Sequence, residues 1–465
     1  MGKRKNITST IGWQLTGKLF VQGISFISAP VFTRILSPAD YGQTSAFSTW
    51  VSMLQLVVGL QTFGSLAQAK MKFGEDRFEQ YASSILGISI WSYAVFFLSG
   101  IIFKTPLSHL LGFHEYLIPV LVTQAFSNFI FELFSAKLEL QYKADRKTFI
   151  SIIYAVSSVF LSYFLIIHME SDRYTGRILG TFFPSVIIAV IEAAVIFGRG
   201  RKLFDRQYWG YCLRLTIPII FHGLGGIILG QSDRIMLKQI AGEEETGIYS
   251  LTYTLALIVS ILTAAFNQAW TPFYYDYKKQ GKISKIRQGE KVYCVVFTII
   301  TMGFILCSPE VFKVIAPSDY WSGMILIPLA AMACYADFLY SFPANHEFYN
   351  EKTKMIMWGT ISAALINIGL NYLLIPHIKG VGAAAATLLS SIFMIIFHDY
   401  NARRKIKKFE FRMKFYFVGS AGCMLSAACF YVFMDMWIIR WGGAVLLGVL
   451  LLVYIYKNKN FIINF

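Results

Sequence analysis

Four polar side chains share one face of the first apolar run of this chain. Gln14, Lys18, Gln22 and Ser25 fall at roughly 0°, 40°, 80° and 20° on a helix that turns about 100° per residue. An ammonium beside two amides and a hydroxyl can hold an oxyanion and hydroxyl-rich groups through charge-assisted and neutral hydrogen bonds. The arc reads as a wet surface inside a helix bundle. The alternative is a seam of hydrogen bonds between helices, with Lys18 snorkelling to the nearer end. Two hundred positions later Arg214 and His222 take the register of Gln14 and Gln22 in the seventh apolar run. They would face the same space from the other half of the chain. Pro218, Gly223, Gly225 and Gly226 make that run bendable, or else closely packed.

Other ionisable residues lie within apolar runs: Glu132, Lys137, Arg177, Glu192 and Asp337. Each costs roughly 2.5–3.5 kcal/mol to insert and usually faces a bundle interior. Asp337 sits between Tyr335 and Tyr340 and precedes Pro343 to His346. It is the best lone carboxylate for a coupling ion or proton, the plainer reading being a buried hydrogen-bonded Asp. Glu132 is grouped with it for coupling or gating. Arg34, off the polar stripe and near Asp40, and the Asp233-Arg234 pair are further gating candidates. A local salt bridge or an interface anchor is the simpler account of all three.

No nucleotide-binding loop, metalloprotease helix, nucleophile elbow or CxxC pair occurs. The six cysteines are scattered through apolar runs and read as small packing residues. The expectation is therefore a protein that is not an enzyme and has no cofactor and no metal, with any work drawn from a gradient.

The elements that must position these residues are helices. Only 15% of the 465 residues are charged and mean hydropathy is +0.54, where a soluble chain carries about a quarter charged residues. Apolar runs of membrane-spanning length recur throughout, without the alternation of an outer-membrane barrel. The reading is an all-α polytopic membrane protein of about 14 transmembrane helices, at 11–35, 44–66, 82–103, 115–138, 148–168, 175–197, 211–231, 247–271, 291–308, 323–346, 355–375, 380–401, 414–434 and 436–456. The start at Met1-Gly-Lys-Arg-Lys5 continues into the first span without a cleavage site and reads as a retained helix. Alternate connections and both termini carry 28 Lys and Arg; the opposite connections carry 6. The positive-inside rule then puts both termini in the cytoplasm. It also makes the net charge of +16 a matter of topology and no argument for nucleic acid. Connections are short, the longest outward one near 232–246, so no soluble domain is expected.

An internal echo organises the chain. Arg34-Ile-Leu-Ser-Pro-Ala-Asp-Tyr-Gly42 returns as Arg234-Ile-Met-Leu, a polar loop, and Gly247-Ile-Tyr249. Arginines 200 positions apart point to an internal duplication, a common plan of secondary transporters. On Ser28-Ala-Pro-Val-Phe-Thr-Arg-Ile-Leu-Ser-Pro-Ala-Asp-Tyr-Gly42, Gln231-Ser-Asp-Arg-Ile-Met-Leu237 and Thr246-Gly-Ile-Tyr-Ser250, the chain resembles the polysaccharide-exporter family. These are the Wzx-like flippases of the multidrug/oligosaccharidyl-lipid/polysaccharide exporter superfamily. The resemblance implies two six-helix lobes in a V, here 1–205 and 206–410, with an added helix pair at 411–465. It implies a flippase in the bacterial cytoplasmic (inner) membrane that moves undecaprenyl-diphosphate-linked oligosaccharide from the inner to the outer leaflet by alternating access. Polysaccharide polymerase and other assembly proteins would be its partners. In that picture Lys18, Arg214 and His222 hold the diphosphate, and Gln14 and Gln22 with aromatic neighbours hold sugars. Lipid II flippases and multidrug exporters of the same superfamily are the nearest alternatives. A membrane glycosyl-polymerase would need a long outward loop with Arg and His.

Overall fold

The computed structural model describes residues 2–459; in the first helix, side chains are described at 13, 16, 17 and from 20 onward. Among them every regular element is helical. The helices are α1 (Gly2–Ile35), α2 (Pro38–Val58), α3 (Leu66–Phe73), α4 (Glu75–Ile102), α5 (Lys104–Leu111), α6 (Leu117–Leu140), α7 (Ala144–Ile167) and α8 (Arg173–Gly200). There follow α9 (Arg206–Ile240), α10 (Glu243–Lys279), α11 (Ile283–Ile315), α12 (Ile327–Tyr349), α13 (Thr353–Tyr400), α14 (Met413–Val432) and α15 (Trp437–Lys457).

Among the described residues 11 helices are long and apolar enough to cross a membrane, or 12 if α2 and α3, bent by 49°, form one span. The protein is thus an all-α polytopic membrane protein of about 11–12 long apolar helices. Two elements bear on the count of about 14. The described apolar part of α1, Phe20–Ile35, is short. Helix α13 runs 48 residues but leaves helical geometry at Ile378 and Lys379. Unbroken it would measure roughly 70 Å, more than twice a hydrocarbon core. The spans expected at 355–375 and 380–401 fall on either side of that break.

Local chemistry sets the helix ends. Pro38 disfavours helix at Ser37 and suits the first turn of α2. The Asp40 amide donates to Ser37 Oγ at 3.1 Å and the Ser37 amide to Asp40 Oδ2 at 3.3 Å, a reciprocal cap. The stretch 232–246, expected as the longest outward connection, is helical except for Ala241 and Gly242. Gly242 turns at φ +94°, where a side chain would be strained. Glu243, Glu244 and Glu245 then fill the first turn of α10, where the helix dipole favours anions. The stretch stays helical because its carboxylate has a partner inside the protein: Asp233 is buried and accepts from the Tyr249 hydroxyl.

The helices form two compact units. Unit 1 comprises the chain through Leu36 together with Gln43–Ile227; unit 2 comprises Ser37–Gly42 and everything from Ile228 onward. Unit 1 packs around Phe78, Tyr81, Phe126, Phe129 and Leu133, with a second cluster at Phe47, Phe113 and Leu117. Unit 2 packs around Trp270, Phe297, Phe338, Phe342 and Phe411, and α14 and α15 lie on α11. Large apolar side chains such as Trp91, Phe160, Val418 and Leu452 stay exposed, as lipid-facing surfaces require. Within unit 2 the two copies of the sequence echo meet. A Cβ at Gly42 would overlap the Glu243 carbonyl, and one at Gly247 would overlap the Pro38 carbonyl. The glycines let the two backbones cross in contact, and Tyr41 meets Tyr320 edge to face, centroids 6.1 Å apart.

Candidate functional site

The stripe on α1 is only partly visible. The side chains of Gln14 and Lys18 lie outside the described residues. Gln22 is exposed and lines a cavity of about 500 Å³ between α1, α6 and α7. Gly17 permits that arrangement: it packs directly on Thr148, whose hydroxyl donates to the Trp13 carbonyl at 2.9 Å. Phe131, Glu139, Lys147 and Tyr154 form the rest of the wall. The Lys147 ammonium donates to Glu139 Oε1 at 2.5 Å.

Glu132 lines a second, smaller cavity of about 190 Å³ in the same unit, with Gln55, Asn128 and Ser185. Phe131 and Tyr154 line both spaces, their rings 6.0 Å apart and tilted by 37°. Glu192 lies behind, buried and close enough to Glu132 for the two carboxylates to act on each other. The structure thus places Gln22 and Glu132, 110 positions apart, on adjoining polar spaces. It adds Gln55, Asn128, Lys147 and Tyr154, which the sequence reading passed over.

The remaining expected residues are dispersed. Arg214 and His222 are both exposed on α9. Arg34, at the end of α1, donates to the Pro30 carbonyl at 2.7 Å. Asp233 accepts from the Arg234 amide at 2.9 Å as well as from Tyr249. Arg234 is half-buried and lies over the Tyr253 ring, 6.0 Å from its centroid. Asp337 is exposed yet ringed by protein. Ser391 donates to its Oδ1 at 2.9 Å, and Tyr253, Cys334 and Tyr340 feel its charge.

Unit 2 also holds polar groups that are enclosed and partnered. His398 Nδ1 donates to Glu347 Oε2 at 2.7 Å, both side chains fully buried. Asn371 donates to Asn367 at 3.0 Å and Asn367 to Thr387 at 3.4 Å. Tyr274 donates to His346 Nδ1 at 2.7 Å, and His346 Nε2 donates to the Lys407 carbonyl at 2.9 Å. Arg440 on α15 forks onto Glu310 at 2.9 and 2.5 Å and also donates to the carbonyls of Leu306, Phe433 and Met434. Among the described residues no group of three or more His, Cys, Asp or Glu could hold a metal ion.

Comparison with known proteins supplies independent findings. The family described as "Polysaccharide biosynthesis protein" matches residues 7–277. An "Uncharacterized membrane protein" of Haemophilus influenzae (strain ATCC 51907 / DSM 11121 / KW20 / Rd) is 23% identical over 376 residues, 76% of this chain and 87% of its own length. Among solved structures, "Lipid II flippase MurJ, inward closed conformation" aligns with a TM-score of 0.74 at 13% identity, covering 97% of this chain and 100% of that one. An inward-facing multidrug resistance MATE family transporter of the MOP superfamily aligns at 0.65 and 13% identity, covering 82% and 94%. At these identities the structures speak for the fold.

Proposed function

Because the chain belongs to the Polysaccharide biosynthesis protein family, we propose that it is a flippase for lipid-linked oligosaccharides. It moves undecaprenyl-diphosphate-linked repeat units from the cytoplasmic to the outer leaflet during surface polysaccharide assembly. The observation that carries this reading is an accessible polar interior in an otherwise apolar helical protein. Lipid-facing helices have no use for amides, carboxylates and ammonium groups around open space. A substrate with a polar head and an apolar tail does: the head enters the protein and the tail stays in lipid. The protein is a transporter and not a catalytic enzyme.

Fourteen spans follow if α1 crosses and α13 crosses twice. Segments 1–205 and 206–410 then act as two six-helix lobes that rock by alternating access, with 411–465 as an appended pair and both termini cytoplasmic. Lys18, Arg214 and His222 hold the diphosphate, and Gln14 and Gln22 meet the glycan. Asp337 takes the coupling proton or ion. Arg34, at the end of α1, and Asp233 and Arg234, about two turns before the end of α9, stand near where the chain must open and close. The exposure of Arg214 and His222 supports the first assignment; the accessible, protein-ringed carboxylate of Asp337 supports the third.

The test is genetic. The gene is deleted, and surface polysaccharide and labelled lipid-linked sugar are followed, with Lys18→Ala and Arg214→Ala restored separately. The expected result is loss of surface glycan with intact lipid-linked units held on the cytoplasmic face. Normal surface glycan with altered drug resistance would support an exporter. Exported but unpolymerised units would point to an enzyme.

A further inference from the structure

The two adjoining spaces of unit 1 share a wall and a chemistry. Phe131 and Tyr154 present ring surface to both. Around them stand amides that donate and accept (Gln22, Gln55, Asn128) and a carboxylate that only accepts (Glu132). The larger space, about 500 Å³, lies within the roughly 300–1,000 Å³ typical of ligand sites. An apolar ring face beside amides and a carboxylate suits a molecule with apolar C–H faces and a rim of hydroxyl donors. That is a sugar ring.

Charge narrows the ligand further. Among the described residues Lys147 is the lining cation, and Glu139 already holds it at 2.5 Å. From α8, Arg177 turns to Ser162 Oγ at 2.9 Å and to the Phe32 ring, 3.8 Å from its centroid. Glu132 faces the smaller cavity with Glu192 behind it. Among the described lining side chains of the two spaces the acidic groups are Glu132 and Glu139 and the basic one is Lys147. Beside Glu132 a diphosphate would meet like charge, and so would a uronic acid, at a cost that low-dielectric surroundings enlarge. An acyl chain would strand the amides and the carboxylate without partners.

We propose that the two adjoining cavities around Phe131 and Tyr154 together form a subsite for a neutral sugar of the lipid-linked substrate, with Tyr154 as the stacking platform between them and Glu132, in the smaller one, as the acceptor for its hydroxyls. The inference rests on the flippase reading and deepens it: the diphosphate and the glycan are held in different places. Glu139 and Lys147 flank the 140–144 connection, on the side to which the Lys and Arg count assigns the cytoplasm, where the sugar lipid is loaded.

The test uses the full chain in nanodiscs of phosphatidylethanolamine and phosphatidylglycerol. Three probes are titrated: undecaprenyl diphosphate, the same lipid bearing a neutral hexose disaccharide, and the same lipid bearing a disaccharide that ends in a uronic acid. Two hydrogen bonds to a carboxylate and one stacked ring are worth about ten-fold in affinity or more. The wild type should therefore prefer the neutral glycolipid over the bare lipid by about ten-fold and show no preference for the acidic one. That ratio should fall to near one in Glu132→Gln and Tyr154→Ala. Tyr154→Phe, which keeps the ring and the fold, should retain most of it. A wild type that binds bare and neutral lipids equally, or Glu132→Gln and Tyr154→Ala proteins that keep the ratio while melting like the wild type, would overturn the subsite and leave the flippase reading standing. A folded wild type that binds none of the three lipids would overturn both.

Discussion

In unit 1 the carboxylate of Glu132 opens into a cavity. In unit 2 the carboxylate of Glu347 is fully enclosed and takes a hydrogen bond from His398. A set of uncharged side chains shows the same contrast. Gln22, Gln55 and Asn128 border space, whereas Asn367, Asn371 and Thr387 bond to one another in a sealed core. A polar group inside a bilayer needs a partner. In unit 2 each of these groups finds a partner within the unit, while Glu347 Oε1, His398 Nε2 and Asn371 Oδ1 are left buried without a further one.

The largest test of that contrast is Arg440→Met. It strips half-buried Glu310 of its bidentate partner and three carbonyls of their donor, and should destabilise by about 2–4 kcal/mol. The readout is an earlier unfolding transition on heating in detergent. Adding Glu310→Gln should recover part of the loss; no recovery would mean that packing of α15, and not charge, holds the pair of helices. Next comes Gly247→Ala. Its methyl group would enter the Pro38 carbonyl, and overpacking of that kind costs about 1–3 kcal/mol. Forcing the crossing apart should also raise labelling of an introduced Ser37→Cys by a membrane-impermeant maleimide; unchanged labelling with a normal melt would show that the crossing yields freely.

Glu347→Gln sharpens the comparison from the other side. It keeps the shape but weakens the bond to His398, and should cost about 1–3 kcal/mol. Glu132→Gln is the smallest change expected, within about 0.5 kcal/mol of wild type, although it should reduce surface glycan in a complemented deletion strain. Equal melting shifts for these two substitutions would erase the distinction between an open and a closed unit.

Much of this was legible in the chain. Hydrophobic length and low charge pointed to a helical membrane protein, but the second span, expected from 44, starts at Pro38, where Ser37 and Asp40 form the reciprocal cap. The polar face of α7 could have been read as well: Lys147, Ser151, Tyr154 and Ser158 recur at spacings of four, three and four, one face of a helix. A stripe whose first member lies in a basic loop is easily taken for a helix end. The span of residues 232–246 misled for a related reason. Its charges resemble a loop, but the Tyr249 hydroxyl satisfies Asp233 from the next helix, and nothing local announces a donor sixteen positions away.

The sequence by itself determined the solvent, the helical class and the echo of Arg34 to Gly42 at Arg234 to Tyr249, because hydropathy, proline and glycine act over a few residues. It also put ionisable groups in apolar runs, since insertion cost makes each conspicuous. Tertiary structure alone decided which of them are open and which are closed. Glu132 and Glu347 are both carboxylates in long helices; one borders Tyr154 and empty space, the other His398. Burial and partnership come from packing between helices distant in sequence, and a single helix face cannot encode what its neighbour will present to it.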